Sequence, residues 1–327
     1  MATTGTPVIS VDDVDRARET IGDRLHRTPT LSSRTLSEQV GASVHFKAEL
    51  LQRTGSFKPR GVLTKLASLS AEEKAKGVIS ISAGNHAQAL AYASALEGID
   101  ALVVMWATAS AMKIAAARGY GATIDTEAPG SPEAFARMEE LMVETGRTLV
   151  HPFDDPLVMA GQGTVGLEIL EDVPDADVVL VQVGGGGLVS GIATAVKGLK
   201  PGARVVAVEP ELSAAMHESL KAGHPVTVQP QSIADGLAGP FAGENCLRVC
   251  SELGVETVLV TERELKDAFR FMYGRMKLAC EPAGAATAAA LLAGKVRIAP
   301  GETVVAVVSG GNVVPETASA ILGSNED

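Results

Sequence analysis

Short runs of β-branched and apolar residues recur along the chain, separated by longer Ala-rich stretches of helical character. The runs predict strands at Val44–Lys47, Val78–Ile81, Ala101–Met105, Ala122–Asp125, Thr148–His151, Val178–Val183, Val205–Glu209, Thr257–Val260 and Thr303–Val308. Several are apolar throughout instead of alternating, which fits strands covered on both faces of a parallel sheet. Helices are predicted at Arg60–Leu69, His86–Glu97, Ala111–Arg118, Pro132–Thr145, Leu188–Leu199, Glu262–Lys277 and Ala283–Ala293. Gly98, Gly119, Gly146 and Gly198 fall where helix C-caps belong. This alternation predicts an α/β fold with right-handed crossovers. The residues after Leu322 are expected to fray, and composition marks no domain boundary.

Composition narrows the picture. The chain has 327 residues, 46% apolar and 20% charged, as in a globular enzyme. Aromatic residues are only 3%, so Ala, Val, Leu and Ile must fill the core. The net charge of −11 argues against nucleic acid or an anionic membrane as a partner. A small anion is still compatible, since a few backbone N–H groups can hold one phosphate. Cys246, Cys250 and Cys280 are too few for a disulfide scaffold and lack the neighbours of a zinc site. They are expected to be reduced. Met1 to Ser10 lacks the pattern of a signal peptide, and no apolar run reaches the length of a membrane helix. A cytoplasmic location is expected.

In such sheets ligands bind beyond the carboxyl ends of the strands. After Val178–Val183 come Gly184, Gly185, Gly186 and Gly187, then a helix opening on Leu188. Four glycines at a helix start can converge their N–H groups on a phosphate. A dinucleotide fingerprint fits less well, because Ser190 stands where its third glycine belongs. After Val78–Ile81 come Ser82, Ala83, Gly84, Asn85 and His86, small and polar residues suited to a carboxylate or a ring hydroxyl. Asn85 as a plain N-cap and His86 as a structural residue are the competing readings. After Thr303–Val308 comes Ser309-Gly310-Gly311-Asn312, a third turn of the same kind. Lys58, just before Pro59, is placed at a helix N-cap, where the helix dipole and burial both favour a neutral, nucleophilic amine. A single lysine is ordinarily a surface residue.

Eight motifs occur in order. They are Gly55–Gly61, Ser82–Gln88, His151–Phe153 with Gly161–Thr164, Gly184–Gly187, Val208–Pro210, Ala234–Leu237, Glu281–Ala285 and Ser309–Asn312. Together they resemble the serine/threonine dehydratase and serine racemase family of fold-type II pyridoxal-phosphate enzymes, over roughly residues 15 to 320. The resemblance implies two parallel-sheet α/β domains with the cofactor between them. Residues 1–50 and 151–327 would form the large cofactor-binding domain, and residues 51–150 the small one. Lys58 would be the Schiff-base lysine and Phe57 would pack by the ring. Asn85 would bond the ring hydroxyl, and Ser309 would face the pyridine nitrogen. Gly184, Gly185, Gly186, Gly187 and Leu188 would hold the phosphate, while Ser82 to His86 would cradle the substrate carboxylate. Lys58, freed by the substrate amine, would remove the Cα proton, and a β-hydroxyl would leave. The products would be a 2-oxo acid and ammonia. The family also implies a homodimer or a higher homo-oligomer.

Departures from the family sharpen this. Racemases reprotonate the opposite face from a second serine, where this chain has Ala83. A methyl group transfers no proton, so a dehydratase is expected over a racemase. Some members bind a divalent cation through a Glu and an Asp; Glu209 is the one candidate ligand here, because the second position is Ala215. A cation is therefore not expected. Trp106 replaces a usual proline, and reads either as packing against the neighbouring domain or as a wall for a bulkier substrate such as phenylserine. A regulatory domain of small-molecule sensors after Ser309–Asn312 is not expected. A β-replacement synthase of the cysteine synthase type is the third reading, disfavoured by Glu281-Pro282-Ala283-Gly284.

Overall fold

The computed structural model describes residues 6–324, with Ser131 described by its backbone alone. Positions 1–5, part of the segment read for a signal peptide, and positions 325–327 lie outside the described residues. The strands are β1 (Thr30–Ser32), β2 (Ser43–Lys47), β3 (Val78–Ile81), β4 (Ala101–Trp106), β5 (Thr123–Ala128), β6 (Thr148–Leu149), β7 (Val178–Gln182), β8 (Arg204–Pro210), β9 (Glu256–Val260) and β10 (Thr303–Val307). They form a six-stranded sheet in the order β1-β2-β10-β7-β8-β9 and a four-stranded sheet in the order β5-β4-β3-β6. All pairs are parallel except β1 with β2. The fully apolar strands sit where two-sided burial is greatest: β3, β7 and β10 are buried at every residue.

Topology creates the site. Strands β10 and β7 are neighbours, so the turns after them, Ser309–Asn312 and Gly184–Gly187, lie side by side. Strands β3 and β6 are neighbours in the other sheet, which sets Ser82–His86 beside His151–Asp154.

The expected elements are present with shifted ends. The helix expected to reach Lys277 runs over Glu262–Phe271, continues as one π-helical turn at Met272–Met276, and stops at Lys277, with φ +60°. The final helix runs over Pro315–Gly323, and of the residues expected to fray after Leu322, positions 325–327 lie outside the described residues. The largest surprise is the helix Pro156–Asp172, which holds Gly161, Gly163 and Gly166. Glycine in a helix interior is unfavourable in isolation. Here it permits close packing. A Cβ on Gly161 would stand 2.6 Å from the Arg60 carbonyl, and one on Gly163 would stand 2.8 Å from that of Gly191. The helix is thus wedged between the helices Pro59–Ala67 and Gly187–Leu199. It is buried on nearly all sides, so it shows no polar stripe.

Trp106 ends β4 beyond a register shift and packs within the apolar cluster of its own sheet, with Phe135, Met142 and Leu149. The three cysteines are free and buried. Among the described residues, no helix is long and apolar enough to cross a membrane.

Candidate active site

Lys58 stands at the N-cap of the helix Pro59–Ala67, with Pro59 in the first helical position. Its Nζ lies 5.2 Å from the centre of the Phe57 ring and donates to the Pro152 carbonyl at 2.8 Å. Burial lowers the amine to about 8, against the opposing pull of Cys246 and Glu281. The Pro152 carbonyl is itself held in place. His151 Nδ1 accepts from the Phe153 and Asp154 N–H groups at 3.2 and 2.7 Å, fixing this turn and leaving the proton on Nε2. Burial lowers the pKa of His151, so the ring is neutral and can accept.

The lysine loop is bonded to the turn after β10. The Phe57 N–H donates to the Ser309 carbonyl at 3.1 Å, and the Gly311 N–H to the Gly55 carbonyl at 2.9 Å. Ser309 is buried, and its hydroxyl has no partner among the described residues. Asn85 reaches across from the other sheet. Its Nδ2 donates to Glu281 Oε1 at 2.7 Å, and its Oδ1 accepts from Asn312 Nδ2 at 2.8 Å. No side chain caps the helix Asn85–Glu97; Ser82 Oγ accepts from the Gly84 N–H at 3.1 Å. Ala83 lies in this turn, which delivers no second hydroxyl there.

His86 turns inward. Its Nε2 donates to the Val150 carbonyl at 3.1 Å, its ring is buried, and burial with the nearby Lys58 charge lowers it to about 3. The imidazole is a structural tie through Nε2, while its buried Nδ1 has no partner among the described residues.

The glycine run opens the helix Gly187–Leu199, with Gly186 at its N-cap in a left-handed conformation, φ +105°. Among the described residues, nothing accepts from the N–H groups of Gly184, Gly185 or Gly186. The lack of side chains also serves packing, a role beyond the anion access that the sequence suggests. A Cβ on Gly185 would overlap the Phe153 ring, and one on Gly187 would lie 2.8 Å from the Phe153 carbonyl. The His151–Asp154 turn therefore touches both Lys58 and the glycine run. Leu188 is buried behind them.

Glu209 is fully buried, and its two oxygens accept from the Met216 and His217 N–H groups at 2.9 and 2.8 Å. It caps the start of the helix Ala215–Ala222. Burial raises its carboxyl to about 8. Among the described residues, no cluster of three His, Cys, Asp or Glu could hold a metal.

Residues 21–310 match the family described as pyridoxal-phosphate dependent enzyme. The chain belongs to that family. A catabolic L-threonine dehydratase of Staphylococcus aureus (strain N315) is 43% identical over 319 residues, covering 96% of this chain and 92% of that protein. An L-threonine ammonia-lyase of Thermotoga maritima is 41% identical, covering 94% and 76%. Among solved structures, maize serine racemase superposes with a TM-score of 0.91 at 36% identity, covering 95% of each chain. A threonine deaminase from T.th. gives 0.88 at 40% identity, covering 93% and 99%. This is the serine/threonine dehydratase and serine racemase branch of the fold-type II pyridoxal-phosphate enzymes.

The residues present suit such a cofactor. A buried amine with a lowered pKa can form the imine, and three unpaired N–H groups at a helix start can meet a phosphate. Two residues of this pyridoxal-phosphate enzyme were legible as motif but not as site. Glu281 anchors Asn85, and burial with the Asp235 charge raises it to about 7. His151 shapes the turn that holds the lysine. Glu281 was visible only as the first residue of the motif Glu281-Pro282-Ala283-Gly284; no spacing rule pairs it with Asn85.

Proposed function

We propose that this pyridoxal-phosphate enzyme is an ammonia-lyase that removes water and ammonia from a small β-hydroxy amino acid, with L-threonine or L-serine as the first candidates. The observation that carries the proposal is the Lys58 amine, buried, lowered to about 8 and held on Pro152 beside Phe57. An amine of that kind serves as carrier and then as base near neutral pH. The relatives named for threonine breakdown support the substrate class.

In this reading the N–H groups of Gly184, Gly185, Gly186, Gly187 and Leu188 hold the phosphate, and Asn85 and Ser309 meet the ring oxygen and nitrogen. A serine cannot keep that nitrogen protonated as a carboxylate would, which favours prompt loss of a β leaving group. The turn Ser82–His86 orients the substrate carboxylate with backbone N–H groups and the start of a helix. When bound, the cofactor supplies the conjugated system that takes the electrons of the broken Cα–H bond. Lys58 takes the proton. The β-hydroxyl takes a proton from the phosphate or a nearby acid as its C–O bond breaks and leaves as water; water then adds at the former Cα as the C–N bond breaks and ammonia leaves, giving a 2-oxo acid. Ala83 offers no proton on the opposite face, which disfavours racemisation. The proposal includes a domain division at residues 51–150, a homodimer or higher homo-oligomer, and a cytoplasmic location.

The test is 2-oxo acid release from a panel of threonine, serine and phenylserine. Turnover of threonine or serine with stoichiometric ammonia is expected. Interconversion of L- and D-serine faster than pyruvate formation would replace this reading with the racemase one. In that second reading Ala83→Ser should raise racemisation further.

A further inference from the structure

A carboxamide has two unlike ends: its oxygen accepts and its nitrogen donates two hydrogens. Which way it lies is decided by its partners. Asn312 Nδ2 uses both hydrogens, one on the Thr54 carbonyl at 2.7 Å and one on Asn85 Oδ1 at 2.8 Å. A carbonyl cannot donate, so Asn312 cannot be turned over. Asn85 must then face Asn312 with its oxygen, which sets its nitrogen on Glu281 Oε1 at 2.7 Å. The second Nδ2 hydrogen of Asn85 is left without a partner among the described residues.

The backbone is shaped around this chain of bonds. Thr54, which receives the first of them, has φ +61°, a conformation β-branched residues rarely adopt. A Cβ on Gly55 would stand 2.6 Å from Asn312 Oδ1. One on Gly310 would stand 3.0 Å from Asn85 Nδ2 and overlap Glu281 Oε1. The bonds also join the two sheets. Asn85 follows β3, while Glu281 is tied to the turn after β10 by its N–H on the Gly310 carbonyl at 3.1 Å.

We propose that Asn312 and Glu281 are positioning residues that hold the Asn85 carboxamide in one orientation, so that its remaining N–H is presented to the ring oxygen of the cofactor. The proposal rests on the reading of Asn85 as the partner of that oxygen. Asn312 decides which end of the amide faces the ligand, and Glu281 anchors the nitrogen from the other sheet. Either protonation state of Glu281 offers an acceptor.

N312D keeps the side-chain size and removes the donor. Asn85 must then offer its nitrogen to the new carboxylate, and the free position carries an oxygen lone pair in place of a hydrogen. The measurements are the dissociation constant of pyridoxal phosphate for the apoprotein, the absorbance band of the loaded protein, and the melting temperature of each apoprotein. N312D should weaken cofactor binding at least tenfold, about 1.4 kcal/mol. It should also move the visible band toward the near ultraviolet, since the ring oxygen loses the donor that favours its ionised form. E281A should shift the band the same way by less, and E281Q, whose amide oxygen still accepts from Asn85, should keep the original band. If N312D does not fold, E281A against E281Q decides by the same readings. An unmoved band in the variants, with or without a fallen melting temperature, overturns the proposal. A wild-type chain that gives no band with pyridoxal phosphate overturns the cofactor role of this site and the clamp with it. A wild-type band with silent variants overturns the clamp alone.

Discussion

Arg60→Met should destabilise the apoprotein steeply, and the loss should depend on pH in a way that identifies its cause. Arg60 follows Lys58 by two residues and is 2% exposed. Its guanidinium is bidentate to Glu49, with both bonds at 2.8 Å, and to Glu168, at 2.7 and 3.1 Å; it also donates to Thr164 at 3.0 Å. Lys47 meets Glu168 from the other side at 2.8 Å. Methionine fills much of the volume but leaves Glu49, fully buried, without its cation. Breaking one partner out of a buried ion pair costs about 3–5 kcal/mol. At roughly 2 °C per kcal/mol for a large domain, the melting temperature should fall by roughly 6–10 °C.

The sign of the pH effect follows from the carboxylates. Burial pushes Glu168 up, but Arg60 and Lys47 outweigh it and hold the group below its ordinary value. A lowered carboxylate adds stability above its unfolded value of 4.5, and that stability is lost as pH falls through the folded value. Without Arg60 the burial of Glu168 is opposed by Lys47 alone, so its pKa should rise. The variant would then lose stability relative to the wild type as pH rises. The gap between the two proteins should therefore be small near pH 4.5 and widen to a plateau above neutrality. Urea unfolding across pH 5 to 8, read by circular dichroism, measures it. A penalty below about 1 kcal/mol, or one flat across this range, would refute the buried-network account.

Two further outcomes follow from the site. Lys58 titrates near 8, below its ordinary 10.5, so imine formation by the apoprotein should rise with pH to a midpoint near 8 and then level off; a midpoint near 10.5 would contradict the burial. Gly185→Ala places a methyl group in the Phe153 ring and should weaken pyridoxal phosphate binding about tenfold, about 1.4 kcal/mol. Adding Phe153→Ala should recover part of that loss by equilibrium dialysis, and no recovery would mean the loop itself is what moved.

The strands and the turns after them were legible because parallel strands are apolar runs and ligands gather at their carboxyl ends. Asn85, the glycine run and Ser309 each stand at such an end; Lys58 does not, and only the resemblance carried by the ordered motifs singled it out. What was not legible depends on neighbours far apart in sequence. The helix Pro156–Asp172 hides because burial on all sides removes its polar stripe, and its glycines read as breaks. Asp154 replaces a local cap for the helix Glu244–Glu252 by accepting from Glu244 and Cys246 N–H groups, across about ninety residues of chain. Glu209 read as a possible cation ligand, yet both its oxygens are taken by a helix start.

The central claim is that Lys58 carries the cofactor. The direct test is borohydride reduction of the protein loaded with pyridoxal phosphate, followed by peptide mapping by mass spectrometry. The account predicts a single pyridoxyl group on the peptide containing Lys58, with the visible band abolished in step. Label spread over exposed lysines, or absent from Lys58, would contradict it.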